Sequence, residues 1–280
     1  MKSILWNADA ANERIARLEA AIKSPAKARP GAVLKVGIDL GTAYIVMVVL
    51  DSSDAPLACV YEYADVIRDG LVVDYVKCCG IVKRLKDRIE QLVGCELAYA
   101  AIAVPPGTSE ADSATHRYVA QSAGFEVTDI LDEPTAANAV LDIKNGAVVD
   151  VGGGTTGISI FKAGKVVHVT DEPTGGTHLS LVIAGNRHIS FDEAEEIKKD
   201  PARRNEFFPT VTPVIEKIGA IIKESVAGFH VSLICMVGGT CCLEGMEKVI
   251  EKYTGIKAVK PANPFFVTPL GIAMMMTIPK

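Results

Sequence analysis

Two acidic glycine turns carry the chemistry this sequence can do. Asp150 sits in the apolar run Val148–Val151 and is followed at once by Gly152, Gly153, Gly154, Thr155, Thr156 and Gly157, after which Ile158 to Phe161 alternate as a second strand. A strand, a glycine turn and a returning strand suit a phosphate, because glycines lack Cβ and their backbone N–H groups can close around its oxygens. Asp150 then lies beside those oxygens, where a carboxylate can hold Mg²⁺ through the ion's water shell. The design recurs around Asp39, Gly41 and Thr42, between the apolar runs Leu34–Leu40 and Tyr44–Leu50. Taken singly, such a stretch is equally an ordinary glycine-rich hairpin. Two copies roughly a hundred residues apart imply a duplicated domain, each half setting one phosphate clamp against a shared cleft. Neither copy leads into a helix through Gly-Lys-Ser/Thr, as a P-loop does.

Such turns need two rigid lobes behind them, and the chain can supply these. Its 280 residues, 49% of them hydrophobic, suffice for two cores. A net charge of −5 leaves no basic footprint, so nucleic acid is not expected as a partner. No apolar run approaches the ~20 residues of a membrane span, and Asn7, Asp9 and Glu13 break any signal-peptide pattern at the start. The seven cysteines have no CxxC spacing, and the adjacent pairs Cys78-Cys79 and Cys241-Cys242 suit tetrahedral zinc poorly. That usage predicts a reducing, cytoplasmic setting. His116 and His230 are expected at surfaces or boundaries rather than in chemistry.

The elements follow in order, in three blocks: an arm at 1–31, a first lobe at 32–145 and a second at 146–280. Ile4, Ala8, Ala11, Ile15, Leu18 and Ile22 make one narrow apolar seam, which predicts a helix up to about residue 23. The Pro/Ala/Lys/Arg stretch 24–31 is expected to tether that helix away from the body, free to dock on a partner, with packing back on its own lobes and self-association as the alternatives. The first lobe reads as strands at 33–39, 44–50 and 57–63, and a helix at 75–93 with Val76, Ile81, Leu85, Ile89 and Leu92 inward. A strand at 97–104, a helix capped by Ser109 and a strand at 125–130 complete it. The second lobe reads as strands at 146–151, 157–162 and 165–170, a helix from Thr174 to Arg187, and amphipathic segments at 191–200 and 212–227. A strand at 231–237, a helix at 244–253 and a last helix ending at Met276 close the chain, with the Met274–Met276 run as core packing.

With those residues laid out, the chain from residue 33 onward resembles the actin-like ATPase superfamily, of DnaK and MreB type. Val36–Thr42 looks like its first phosphate loop and Asp150–Thr155 like its second. Met236–Thr240, with Gly238, Gly239 and Thr240, looks like its adenosine motif. Asp132–Ala137 is similar to the DnaK-type element between the lobes. Glu193–Lys198 resembles the MreB-type helix whose acid and lysine, here Glu195 and Lys198, touch the nucleoside, and the Pro105–Gly124 stretch has MreB-type length. The resemblance implies an α/β, actin-like ATPase fold: two duplicated ribonuclease-H-like lobes flanking a nucleotide cleft.

Within the superfamily the chain is similar to short DnaK-like proteins of ethanolamine utilisation, which are described as chaperone-like and encoded with a bacterial microcompartment. The resemblance implies ATP or ADP with Mg²⁺ as ligands. It makes Asp39 and Asp150 the metal-holding acids, Thr42, Gly152, Gly153, Gly154 and Thr155 the phosphate contacts, and Glu133 the group that orients the attacking water. No peptide-binding domain is expected after the last helix, so a client or a microcompartment shell or cargo protein would meet the lobes or residues 1–23. Three departures predict slow or partner-dependent hydrolysis. Ala43 replaces a threonine, Gly157 replaces an aspartate, and the DnaK segment bearing the catalytic lysine is missing, as it is in MreB-type actins. A filament or pilus-scaffold ATPase, and a small-molecule kinase of the same fold, are the alternatives.

Overall fold

Alternation and turn chemistry dictate two sheets of one design. The structure, a computed structural model, describes residues 6–68 and 70–279. It runs α1 (Asp9–Lys23), β1 (Leu34–Leu40), β2 (Tyr44–Asp51), β3 (Pro56–Tyr63), β4 (Ile67–Arg68), β5 (Leu71–Val72), α2 (Tyr75–Val93), β6 (Tyr99–Val104), α3 (Glu110–Ser122), β7 (Glu126–Asp132) and α4 (Glu133–Leu141). The second half runs β8 (Gly146–Val151), β9 (Thr156–Lys162), β10 (Lys165–Glu172), α5 (Gly176–Arg187), α6 (Phe191–Lys199), α7 (Arg204–Ser225), β11 (Leu233–Val237), α8 (Met246–Thr254), β12 (Lys257–Val259) and α9 (Val267–Met275). Among the described residues the first sheet is ordered β3-β2-β1-β6-β7 and the second β10-β9-β8-β11-β12. Each is an antiparallel meander of three strands extended by two parallel ones. This is the duplicated α/β architecture of the actin-like ATPases.

Local signals set the helix starts. The Asp74 side chain accepts from Lys77 N–H, Ser109 from Asp112 N–H and Asp132 from Thr135 N–H, each satisfying a donor the helix leaves open. Ser190 and Glu193 bond reciprocally at the start of α6.

Among the described residues three apolar cores result. One lies between the first sheet and α2 and α3, and one between the second sheet and α5, α7 and α8. The third lies between the lobes and gathers Val46, Val48 and Leu50 of β2, Val148 of β8, and Leu233, Cys235 and Val237 of β11 around α4 and α9. The division near 145 separates the sheets, yet α9 crosses back to pack on β1 and α4, and Gly271 allows the contact with α4: a Cβ there would lie 1.9 Å from the Ala136 carbonyl oxygen.

Several expectations need correcting. The arm is not held off the body: Ala11, Ile15, Leu18 and Ala21 of α1 are buried, and α1 packs on β3 within the interlobe core. A narrow seam is enough when the surface it meets is already apolar. Ile4, counted in that seam, lies outside the described residues. Val76, expected inward on α2, is 81% exposed, because α2 turns Cys78, Ile81 and Val82 to the sheet instead. α7 begins at Arg204 rather than 212 and runs through Pro209 and Pro213. Burial of Phe207, Val211, Ile215, Ile218 and Ile222 on one face, at about 1.5–3 kcal/mol each, outweighs the ~3 kcal/mol a proline costs in a helix interior. His116 is buried on the inner face of α3, with its Nδ1 3.0 Å from the Asp112 carbonyl, and burial pushes its pKa down. The short strands β4, β5 and β12 were not read from the sequence. Of the methionine run only Met276 is buried, and Met275 is exposed.

Candidate functional site

Register makes the two acidic turns equivalent. Leu40 pairs with Ile45 and Val151 with Thr156, so each hairpin closes through four residues, Gly41–Tyr44 and Gly152–Thr155. Asp39 and Asp150 stand one residue before the end of their strands, opposite Val46 and Gly157. The turns face each other at close range: a Cβ on Gly153 would lie 3.2 Å from Thr42 Cβ and 3.4 Å from Ala43 Cβ. The small side chain at 43 follows from that proximity. Gly157 is as constrained, since a Cβ there would lie 3.2 Å from both Pro106 and Pro134 and 3.5 Å from an Asp171 carboxylate oxygen. No aspartate fits at 157 without displacing them.

The second turn is anchored from three sides. The N–H groups of Gly176 and Thr177, opening α5, donate to Gly152 O (2.9 Å) and Gly153 O (2.8 Å), and Thr240 Oγ1 donates to Gly152 O (2.7 Å). Gly238, at φ +91°, donates to Pro264 O (3.0 Å). A Cβ on it would sit 2.3 Å from Asp150 Oδ1, so only glycine lets this turn close on the acid. Asp150 in turn accepts from the hydroxyl of Thr268 at the start of α9. On α6, Glu195 accepts from Ser180 and Lys198, while Lys198 Nζ also donates to Gly176 O at 2.9 Å. Burial alone would raise the Glu195 carboxyl, but Lys198 and Ser180 outweigh it and hold it below its ordinary value.

All fourteen residues singled out from the sequence line one cleft of about 990 Å³: Asp39, Gly41, Thr42, Glu133, Asp150, Gly152, Gly153, Gly154, Thr155, Glu195, Lys198, Gly238, Gly239 and Thr240. Three buried carboxyls line it, and all three are raised. Burial, then Asp150, pushes Asp39 up to about 7. Burial pushes Asp150 up to about 6 against the Thr268 hydrogen bond. Glu133 is held well above the ordinary range by burial, then by Asp150 and Asp39. Among the described residues no group of three or more His, Cys, Asp or Glu stands at metal-ligating spacing. A cation here would therefore complete its shell with water and phosphate oxygens, which suits Mg²⁺. Desolvated acids aimed into a cleft from both lobes fit such an ion.

Sequence reading missed Thr268 and a ring cluster at the cleft mouth. Tyr44 makes edge contacts with Tyr61, Tyr63 and Phe265 at centroid distances of 6.1, 5.6 and 5.4 Å. Lys199 Nζ of α6 lies 4.9 Å from the Tyr63 ring centroid and 5.3 Å from that of Tyr44. The spacing of Tyr61 and Tyr63 on one face of β3 was an available signal. Thr268 left none, being 118 residues from its partner.

Two family models match parts of the chain: the MreB/Mbl protein over residues 62–200 and the cell division protein FtsA over 147–271. The ethanolamine utilization protein EutJ of Salmonella typhimurium is 41% identical over 255 residues, which cover 91% of this chain and 90% of that protein. A chaperone protein HscA homolog of Vibrio atlanticus is 27% identical over 71% of this chain and 39% of its own length. Among solved structures, EutJ from Carboxydothermus hydrogenoformans superposes with a TM-score of 0.89 at 44% identity, covering 96% of this chain and 99% of that one. MreB5 of Spiroplasma citri bound to AMPPNP superposes with a TM-score of 0.70 at 16% identity, covering 85% and 94%. The fold is shared that far.

Proposed function

This chain belongs to the EutJ family of ethanolamine utilization proteins, and from that premise we propose that it is an ATP-binding, DnaK-like chaperone-type protein acting beside a bacterial microcompartment. One observation carries the nucleotide part. Two equivalent Asp-bearing turns, one from each lobe, close on a single cleft whose acids are desolvated and raised by burial. A fold relative of known structure, MreB5 of Spiroplasma citri, is bound to AMPPNP, which supports the same ligand class here.

Asp39 and Asp150 would hold Mg²⁺ from opposite sides, and the ion would supply charge neutralisation to the phosphate oxygens. The amides and hydroxyls of the two turns, with Thr42 and Thr155, bind and orient those oxygens. Glu195 and Lys198 flank the nucleoside end, and Gly238–Thr240 let backbone approach it. Glu133 lies within electrostatic reach of both acids. That position at the junction of the lobes suits a group that orients the attacking water. Hydrolysis is slow in this reading: Ala43 supplies no hydroxyl, and a missing preorganised contact costs about 10²–10³ in rate. A client or shell partner at the arm meets either the charged outer face of α1 or a helix that has left its seat, since the apolar seam is buried on the body.

Thermal melting with Mg-ATP and Mg-ADP tests the reading. A nucleotide at a hundred times its Kd adds about 2.7 kcal/mol, or roughly 5–10 °C for a protein of this size. Asp150→Ala should lose most of that shift, and Glu133→Gln should keep it while hydrolysing more slowly. An Asp150→Ala shift equal to the wild type's overturns the assignment, and phosphorylated ethanolamine, acetate or sugar in a product screen favours a kinase.

A further inference from the structure

α1 belongs to neither lobe's own core. Ala11, Ile15 and Leu18 sit in the interlobe core, with β2 of the first lobe, β8 and β11 of the second, and the crossing helices α4 and α9. The polar bonds of α1, and those of the residues flanking it, reach three bodies. Arg14 Nη1 donates to Val140 O and Trp6 Nε1 to Leu141 O, both at 2.9 Å, on the last turn of α4. Asn12 Oδ1 accepts from Ala262 N–H at 2.8 Å, in the segment that leads into α9. Behind the helix, Ala26 and Ala28 N–H donate to Leu57 O and Val93 O of the first lobe, each at 2.8 Å.

A third side chain of α1 leads to the cleft. Glu19 Oε1 accepts from Asn263 Nδ2 at 2.6 Å, and Asn263 Oδ1 accepts from Phe265 N–H at 3.2 Å. The turn that Asn263 caps also presents Pro264 O to Gly238 N–H. It places the Phe265 ring 3.3 Å from where a Gly239 Cβ would be. Glu19 is therefore one side chain and one short turn away from the glycines that close on Asp150. A shift of that turn moves Gly238 and Gly239 with it.

We infer that α1 is a brace on the cleft, with Glu19 as a positioning residue for the Gly238 turn, so that seating of α1 and binding of a nucleoside diphosphate strengthen each other. The inference rests on the nucleotide reading of the cleft. A helix of 15 residues is marginal alone, so its seating opens at lower free energy than the lobes unfold. Coupling between two sites is reciprocal: what α1 gives the ligand, the ligand gives α1.

The full chain is titrated with Mg-ADP by calorimetry as wild type, Glu19→Ala and Glu19→Gln, and amide exchange of residues 9–23 is followed in wild type with and without Mg-ADP. Glu19→Ala should weaken Mg-ADP about three- to tenfold, the worth of one hydrogen bond. Glu19→Gln, which keeps an acceptor for Asn263, should stay within about twofold of wild type. Saturation with Mg-ADP should slow exchange across α1 by a comparable factor. Glu19→Ala melting lower yet binding like wild type reduces α1 to a purely structural element and overturns the inference, as does exchange indifferent to ligand. The exchange arm uses no variant, so a poorly folding Glu19→Ala does not blunt it. Absence of binding in wild type overturns the nucleotide reading itself, and the coupling with it.

Discussion

A carboxylate placed out of water beside two others costs stability unless a proton or a cation offsets it. Asp39 and Asp150 are both raised from 3.8, to about 7 and about 6. A raised folded-state pKa contributes stability that is fully present below the unfolded value and lost as pH rises through the folded one. The ligand-free protein should therefore lose stability between about pH 4 and pH 7 through these two groups, and Mg-nucleotide should restore it. In Asp150→Asn the charge is gone, so the ligand-free variant should melt higher than wild type at pH 8 and match it more closely at pH 5. A gain of about 1 kcal/mol would appear as ~2–4 °C. The Mg-ADP shift of wild type should be larger at pH 8 than at pH 5, and that of Asp150→Asn small at both. Equal melting of variant and wild type at pH 8 would show that the acids are compensated within the protein. At this scale the sequence was legible wherever a residue's chemistry is local: Asp39, Asp150 and the glycines announce themselves by their neighbours. Thr268, which bonds Asp150 from the far end of the chain, has no local mark.

Helices cross most tightly where one gives up its side chain. At Gly271 of α9 a Cβ would fall 1.9 Å from Ala136 O and 2.5 Å from Ala136 C of α4, both backbone atoms that cannot swing aside. Gly271→Ala should separate α4 from α9 and lower unfolding free energy by about 2–3 kcal/mol, even though alanine is the better helix former. A urea midpoint at the wild-type value would show that the helices can part freely. The element borders also mark where sequence reading ended. Caps at Asp74, Ser109 and Ser190 are short-range, and the helices they open were placed within a few residues. α7 was read only from residue 212, and the burial that carries it back through Pro209 comes from strands and helices distant in sequence. The seam of α1 was seen, but its destination was not, because periodicity says that a face is apolar and never what it meets.

Duplication was legible at the scale of the molecule, since two matching acidic turns imply two matching lobes. How the lobes meet was not, and the cleft mouth shows what that hides. Lys199 belongs to α6 of the second lobe, and Tyr44 and Tyr63 belong to β2 and β3 of the first, so the ammonium over those rings is a contact between lobes. Opening the cleft must break it. A cation–π contact at a partly exposed site is worth ~0.5–1 kcal/mol, which is about two- to fivefold in a rate. Lys199→Met keeps most of the stem's apolar reach and removes the charge. It should speed ADP release by about that factor and leave association nearly unchanged, because the closed form loses the contact while the open one never had it. Stopped-flow displacement of a fluorescent ADP analogue measures both rates. If release limits the proposed hydrolysis, its steady-state rate should rise by the same factor. Release as slow as in wild type would mean that the rings and Lys199 travel together and that the lobes open elsewhere.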